Sequence, residues 1–432
     1  MKQVKVSIEK SGKQIPVGLI SGNSDKDYRF RYDTEYLQRE DAAAISLQLP
    51  LQEESFEPDA TEIFFDGLLP EGFTRRAVAE KMHESDSDYL TLLAGLGREC
   101  IGAIRIRREE EDDIVPSYER LTLDQVKELA REGASLTAEI VTKAHISLTG
   151  ATGKAGLYLD EKSGDWYLPK GTAPSTHIVK QSHVRLRSIV PNEQLTQLTA
   201  SGLDIDVPDS RIINLGEGRD EDVLLATRRY DRDFESSSMS IDGLRIPCRL
   251  HQEDFSQALG VSARRKYEKK DQGKQGYLPR MFDLIRKMFK DPLRDQLKLW
   301  DRVVFCYLTG NTDSHLKNFS ALYSRDLHSV SLAPAYDMVS TAIYENSTRE
   351  MSFYIGDQLT LDDIDRSSFR REAEYCRVNP AMAMKRFDIM ADSFEQTLRE
   401  AAYHLSCDGM PNMDRIMQQI LERGGYSRIA QR

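Results

Sequence analysis

The sequence has no apolar stretch approaching the roughly 18 residues that a membrane-spanning helix needs, so no span is expected. Cysteine is scarce. Five residues (Cys100, Cys248, Cys306, Cys376 and Cys407) are scattered without C-x-x-C spacing. An odd, dispersed set excludes a disulfide framework and speaks against structural zinc; it reads as buried, reduced thiols of a cytoplasmic chain. Positive charge is also short: 59 Lys and Arg face 70 Asp and Glu, a net charge of −11. Such a chain is not built as a whole to coat nucleic acid, which leaves only a local basic patch for that purpose. Internal repeats and low-complexity tracts are missing. The start, Met1 to Ile8, alternates polar and apolar residues as a strand does and lacks the pattern of a signal peptide. What is present is an ordinary globular mix, 40% apolar and 30% charged, over 432 residues. That length suffices for two or three domains or large lobes.

The pattern along the chain predicts an α+β protein in three parts. Residues 1–110 form an N-terminal α/β subdomain, 111–249 a β-rich lobe, and 250–432 an all-helical C-terminal lobe. Val4, Val6 and Ile8 mark one strand face, with Ile15 to Ile20 as its partner. Residues 86–96 read as helix, and Ile101 to Ile106 as strand. The acidic run Glu109 to Asp113 reads as a solvated linker. Leu157 to Leu159 and Trp166 to Leu168 flank a turn, as in a hairpin. Thr176 to Val179 is a further strand, 192–201 a helix, and Arg211 to Leu215, Val223 to Thr227 and Leu244 to Leu250 further strands. In the C-terminal part, Leu293, Leu297, Trp300, Val304, Tyr307 and Leu308 recur at helical spacing, one face of a buried helix. Residues 380–405 and 411–423 repeat that pattern.

Phosphoryl transfer needs positioning and charge neutralisation more than covalent chemistry. Gly150-Ala151-Thr152-Gly153-Lys154 is a small Gly-rich turn entering a strand. Its glycines would let backbone N–H groups approach phosphate oxygens, although taken alone a plain hairpin turn is the better reading, and Ala155 excludes a Walker A loop. Lys180 closes an apolar strand, as a solvated strand end or as a point charge for phosphates. Asp313-Ser314-His315-Leu316-Lys317-Asn318 has the D-x-x-x-x-N spacing of a kinase catalytic loop, with Asp as base and Asn on magnesium. Its bland alternative is an Asx turn at a helix end. Asp337 follows a proline turn, as a helix N-cap or as a second magnesium ligand. His177, His251 and His315 read as structural, with His315 placed to orient Asp313. Arg264-Arg265-Lys266 reads as a solvated face and as the best candidate for a phosphate or DNA contact.

The order of these elements, with Ser147 to Lys154, Thr176 to Lys180, Arg229-Tyr230-Asp231-Arg232, His251-Gln252-Glu253-Asp254, Thr312 to Asn318, Tyr336-Asp337 and Phe65 to Glu71, resembles the HipA toxin-kinase family. The resemblance covers nearly the whole chain. It implies a bilobal, protein-kinase-like fold using ATP and magnesium. Asp313 would be the catalytic base, and Asn318 and Asp337 the metal ligands. Lys180 would contact phosphates, with Gly150 to Lys154, His315 and Lys317 completing the nucleotide set. The backbone of Arg228, Arg229 and Tyr230 would hold adenine, and Glu193 would pair with Lys180. Ser147 matches the family's self-phosphorylated serine, whose dianionic phosphate would repel ATP and silence the enzyme. The resemblance also implies a HipB-type helix-turn-helix antitoxin, operator DNA bound through that complex, co-repression of the operon, and glutamyl-tRNA synthetase as the substrate whose modification halts translation. Two departures stand out: Thr152-Gly153 in the Gly-rich turn, and Met338-Val339 rather than Phe-Gly after Asp337. Alternatives are a catalytically silent scaffold, and a metal-dependent phosphohydrolase using Asp313, His315 and Asp337.

Overall fold

The structure is a computed structural model that describes residues 2–24, 26–108, 115–132, 154–182, 186–235, 237–269 and 276–430. Two compact units emerge. One comprises Met1–His183, Ala226–Ala263 and Ala321–Val330; the other comprises Val184–Leu225, Arg264–Ser320 and Ser331–Arg432.

In the first unit, Lys2–Lys10 pairs antiparallel with Lys13–Gly22, placing Val4 opposite Ile20 and Ile8 opposite Ile15. Arg29–Tyr32 and Ile104–Arg108 flank that pair in one antiparallel sheet. Gly18 is required there, because a Cβ would lie 2.2 Å from the Arg31 carbonyl oxygen. The alternation of the strands sends Val4, Val6, Ile8 and Phe30 inward, where the helices Pro58–Asp66 and Tyr89–Leu96 bury Phe64, Phe65 and Leu93. A second antiparallel ladder runs Ser117–Arg120, Trp166–Lys170, Lys154–Leu159 and His177–Gln181. The hairpin forms with Tyr158 opposite Tyr167, and Tyr118 packs 4.6 Å from Tyr158 between ring centroids.

The second unit is mainly helical. Pro292–Thr309 is its axis, capped by Asp291 and begun by Pro292, which needs no intrahelical donor there. It packs against Tyr277–Met288 and the long helix Pro380–Cys407. Trp300 Nε1 donates to the Ala383 carbonyl at 3.0 Å, and Tyr307 meets Phe369 at 5.1 Å.

Three expectations are corrected. The C-terminal part is not all-helical: Glu350–Ile355 and Gln358–Thr360 form a hairpin, and Ser320–Tyr323 and Val330–Leu332 are further strands. Runs this short carry too few residues for their alternation to stand out between long helical patterns. Leu293 is 64% exposed, since the buried face begins further along the helix, around Leu299. Cys407 is exposed, whereas the other four thiols are buried. Among the described residues, no helix is long and apolar enough to cross a membrane.

Candidate active site

In the second unit the axial helix must stop abruptly to release a loop. Gly310 does this in the left-handed conformation (φ 70°), where its Cβ would come within 2.6 Å of Ala342 Cβ. The Asx-turn reading of Asp313 therefore does not describe the helix end, which Gly310 caps. From Asn311 to Lys317, Asp313 is the exposed residue and its neighbours are buried.

Asn311 joins two separate segments. Its Oδ1 accepts from the Asp313 N–H at 3.2 Å, and its Nδ2 donates to the Asp337 carbonyl at 3.3 Å. Asn318 Nδ2 donates to the Asp313 carbonyl at 2.9 Å. This leaves the Asn318 amide oxygen an acceptor. Asp313, Asn318 and Asp337 are thus tied into one hydrogen-bonded frame. Thr312 bonds Thr341 through both N–H and hydroxyl, each at 2.7 Å, and its carbonyl accepts from Ser352 Oγ at 2.9 Å. Tyr336, just before Asp337, donates to the Lys317 carbonyl at 2.8 Å.

Asp337 is half-buried with φ 54°, and no helix begins after it, so it is not a helix N-cap. The segment after it is held by the helix Ile189–Gly202. Asn192 Nδ2 donates to the Ser340 carbonyl at 2.9 Å, and the Thr196 hydroxyl donates to the Met338 carbonyl. Glu193 lies on that helix and accepts from Gln197 Nε2 at 3.4 Å.

His315 meets Asp313 through its backbone N–H, 2.9 Å from the Asp313 carbonyl. The Tyr267 hydroxyl donates to Asp313 Oδ1. Tyr267 and Asn311 were not among the expected site residues. Asn311 reads in sequence only as part of a helix breaker, and Tyr267 only as the residue after a basic run. In that run Arg264 and Arg265 are exposed, Lys266 is half-buried, and its carbonyl accepts from the Leu316 N–H at 3.3 Å.

In the first unit, Lys154 and Lys180 are direct register partners across neighbouring strands. Direct cross-strand partners send their side chains to the same face of the sheet. Ser147 and Gly150 to Gly153 lie outside the described residues. The Arg229 N–H donates to the Thr176 carbonyl at 2.9 Å. Arg228 is half-buried, its guanidinium 5.9 Å from the Phe234 ring centroid, and Tyr230 donates to Gln252 Oε1.

The side chains of the Arg229-to-Arg232 motif are architectural. Arg229 grips Asp231 through two bonds, at 2.9 and 2.7 Å, and reaches Glu99 at 3.3 Å. Arg232 and Arg249 converge on the same Glu99, and Arg249 also bonds Glu9 at 3.1 Å. Burial pushes the Glu99 carboxyl up, but Arg249, Arg232 and Arg229 outweigh it and hold the group well below the usual range. His251 to Asp254 does similar work. His251 Nε2 bonds the Ile45 carbonyl at 2.7 Å, and Glu253 accepts from Ser46 and the Leu47 N–H at 2.6 and 2.8 Å. Asp254 and Gln257 form a capping box, and Gln257 donates to the Phe64 carbonyl at 2.7 Å beside the Phe65-to-Glu71 motif.

The family of HipA-like C-terminal domains matches residues 146–406, and that of HipA N-terminal domains residues 11–107. The chain belongs to the HipA family. The protein Y4mE of Sinorhizobium fredii, named as a kinase, is 31% identical over 386 residues, 87% of each chain. The serine/threonine-protein kinase toxin HipA of Shewanella oneidensis is 27% identical over 70% of this chain and 68% of its own. A solved structure of HipA with HipB and operator DNA from that organism covers 97% of this chain and 96% of its own, at 21% identity and a TM-score of 0.77. The HipA fold is kinase-like, and with family membership comes the enzyme class, a serine/threonine protein kinase of the HipA toxin type.

Proposed function

We propose that this chain transfers the γ-phosphoryl group of ATP to serine or threonine hydroxyls with magnesium, using Asp313 as the base. The observation that carries the reading is the Asn311 amide, which fixes the Asp313 N–H and the Asp337 carbonyl together. Asp313 would take the proton of the attacking hydroxyl, and its exposure fits contact with a protein acceptor. One carboxylate at Asp337 and one amide oxygen at Asn318 fit magnesium, which keeps waters and shares phosphate oxygens rather than needing a full protein cage. Bound there, magnesium would neutralise charge building on the phosphates. Lys154 and Lys180, opposite one another, would take the phosphates, and the backbone from Arg228 to Tyr230 the adenine. Buried Lys317 and His315 would line the nucleotide side of the loop. Glu193 as partner of Lys180, and Gly150 to Gly153 as phosphate cradle, rest on the resemblance.

The same resemblance supports Ser147 as a self-phosphorylated off-switch and glutamyl-tRNA synthetase as the substrate. The Shewanella complex supports a HipB-type antitoxin as partner and operator DNA met through it, with exposed Arg264 and Arg265 beside Lys266 as the candidate phosphate contact. The deciding experiment compares wild type with Asp313→Asn. The variant should bind ATP nearly as well yet lose nearly all phosphoryl transfer, because the carboxylate acts in the transition state. Unchanged turnover would remove the reading. Phosphoproteomics of cells expressing either form would identify the substrate, and mass spectrometry should find phosphate on Ser147 of the wild type alone.

A further inference from the structure

We infer that Tyr267 is a positioning residue for phosphoryl transfer, orienting the Asp313 carboxylate through its phenol. This rests on the assignment of Asp313 as base. The Tyr267 hydroxyl donates to Asp313 Oδ1. A hydrogen bond to one carboxylate oxygen favours one rotamer about Cα–Cβ and Cβ–Cγ, and so sets the direction in which the other oxygen faces.

The ring and the backbone on either side of it are anchored. The ring stands edge-on to His315, inside the same loop, with centroids 5.0 Å apart and planes at 85°. Lys266 Nζ lies 5.6 Å from the ring centroid, close enough for a cation–π contact. On one side in sequence, the Lys266 carbonyl accepts from the Leu316 N–H at 3.3 Å, and the Arg265 carbonyl accepts from Tyr277 at 2.7 Å. On the other, the Glu268 N–H donates to the Ser352 carbonyl at 2.9 Å, and Ser352 Oγ bonds the Thr312 carbonyl. The buried Glu268 carboxyl accepts from the Tyr277 and Tyr354 N–H groups at 3.2 and 3.1 Å. A segment stitched to the loop before and after Tyr267 is a fixed part of the frame. That distinguishes a positioning residue from a movable plug that merely blocks the base.

Tyr267→Phe keeps the ring against His315 and removes only the hydroxyl. In steady-state assays of γ-phosphate release from ATP–Mg2+, to the chain or to water, it should lower kcat about tenfold. The KM for ATP should stay within about twofold and the melting temperature should be unchanged, since neither depends on that hydroxyl. A Phe variant whose kcat stays within about twofold of wild type would overturn the inference. So would parallel losses of kcat, ATP affinity and melting temperature, which mark a general structural role. A rise in kcat would also overturn it, and would identify the phenol as a plug. Asp313→Asn, assayed alongside, separates the two claims: its full activity would refute the base itself, whereas its inactivity beside a fully active Tyr267→Phe would refute only the positioning role.

Discussion

Around Glu99 three guanidiniums and three carboxylates are sealed from water, whereas around Asp313 hydroxyls and amides hold one carboxylate in the open. Each region contains motif residues: Arg229, Asp231 and Arg232 in the first, Asp313 and Asn318 in the second. In the first, every charge is spent on another charge, and the product is a fixed junction that ties Glu9 of the N-terminal sheet and Glu99, just after the helix Tyr89–Leu96, to the Arg229-to-Arg249 stretch of the same unit. In the second, Asn311, Thr312 and Asn318 fix the backbone around a carboxylate that stays exposed. A charged residue in a motif is therefore assigned by its setting: full burial with opposite charges indicates architecture, and exposure on a rigid, hydrogen-bonded loop indicates reaction.

Asp313→Asn should separate the two regions most sharply. Phosphate transfer should drop by about a thousandfold in a kinetic assay, with stability changed by less than about 0.5 kcal/mol, as at other exposed positions. Glu99→Leu should do the reverse, leaving three buried guanidiniums around an apolar side chain. Urea unfolding should show a loss of about 3–5 kcal/mol, because an uncompensated buried charge costs far more than the pair contributed. Retained stability there would mean that the cluster is not a junction. Asn311→Leu removes both arms of the amide that joins the Asp313 and Asp337 segments. Turnover should fall by about 10-fold to 100-fold through lost alignment, with ATP binding, measured by calorimetry, less affected.

The smallest expected effect concerns pH. Burial pushes the Glu253 carboxyl up to about 7 from an ordinary 4.5, so the folded state holds this proton more firmly than the unfolded chain does. Its contribution is complete below about pH 4.5 and is lost as pH rises through 7. His251, held down to about 4 by burial, works the other way: its contribution is lost as pH falls from 6.5 towards 4. Between about pH 7 and 8 the His251 effect is small, so the fall there belongs mainly to Glu253. Glu253→Gln should flatten the fall of melting temperature across this window. Some slope should persist, because burial also pushes Glu372 up to about 7. An unchanged slope would show that Glu253 is ionised throughout.

Much of this was legible in the sequence, and what was not has a common cause. Alternation placed Val4, Val6 and Ile8 on one face, and helical spacing found the axis through Trp300 and Tyr307, because those signals are local. The D-x-x-x-x-N spacing is local as well. Tyr267 lies 46 residues from Asp313, and nothing in Arg264-Arg265-Lys266-Tyr267 says which loop the phenol will reach. Asn311 was in view but read as a breaker, since its two-armed bond depends on where residue 337 arrives. The Arg229-to-Arg232 motif was visible as a motif, but its guanidiniums could be assigned to Glu99 and Asp231 only once the chain was folded.

Asp337 carries a last consequence. Its backbone sits at φ 54°, a region where glycine is at ease and an L-residue is not. Selection for ruggedness alone would favour glycine at this position. A thermostability screen of this enzyme would therefore tend to enrich Asp337→Gly, and if the carboxylate serves the metal, those survivors would be sturdier proteins that have lost their trade.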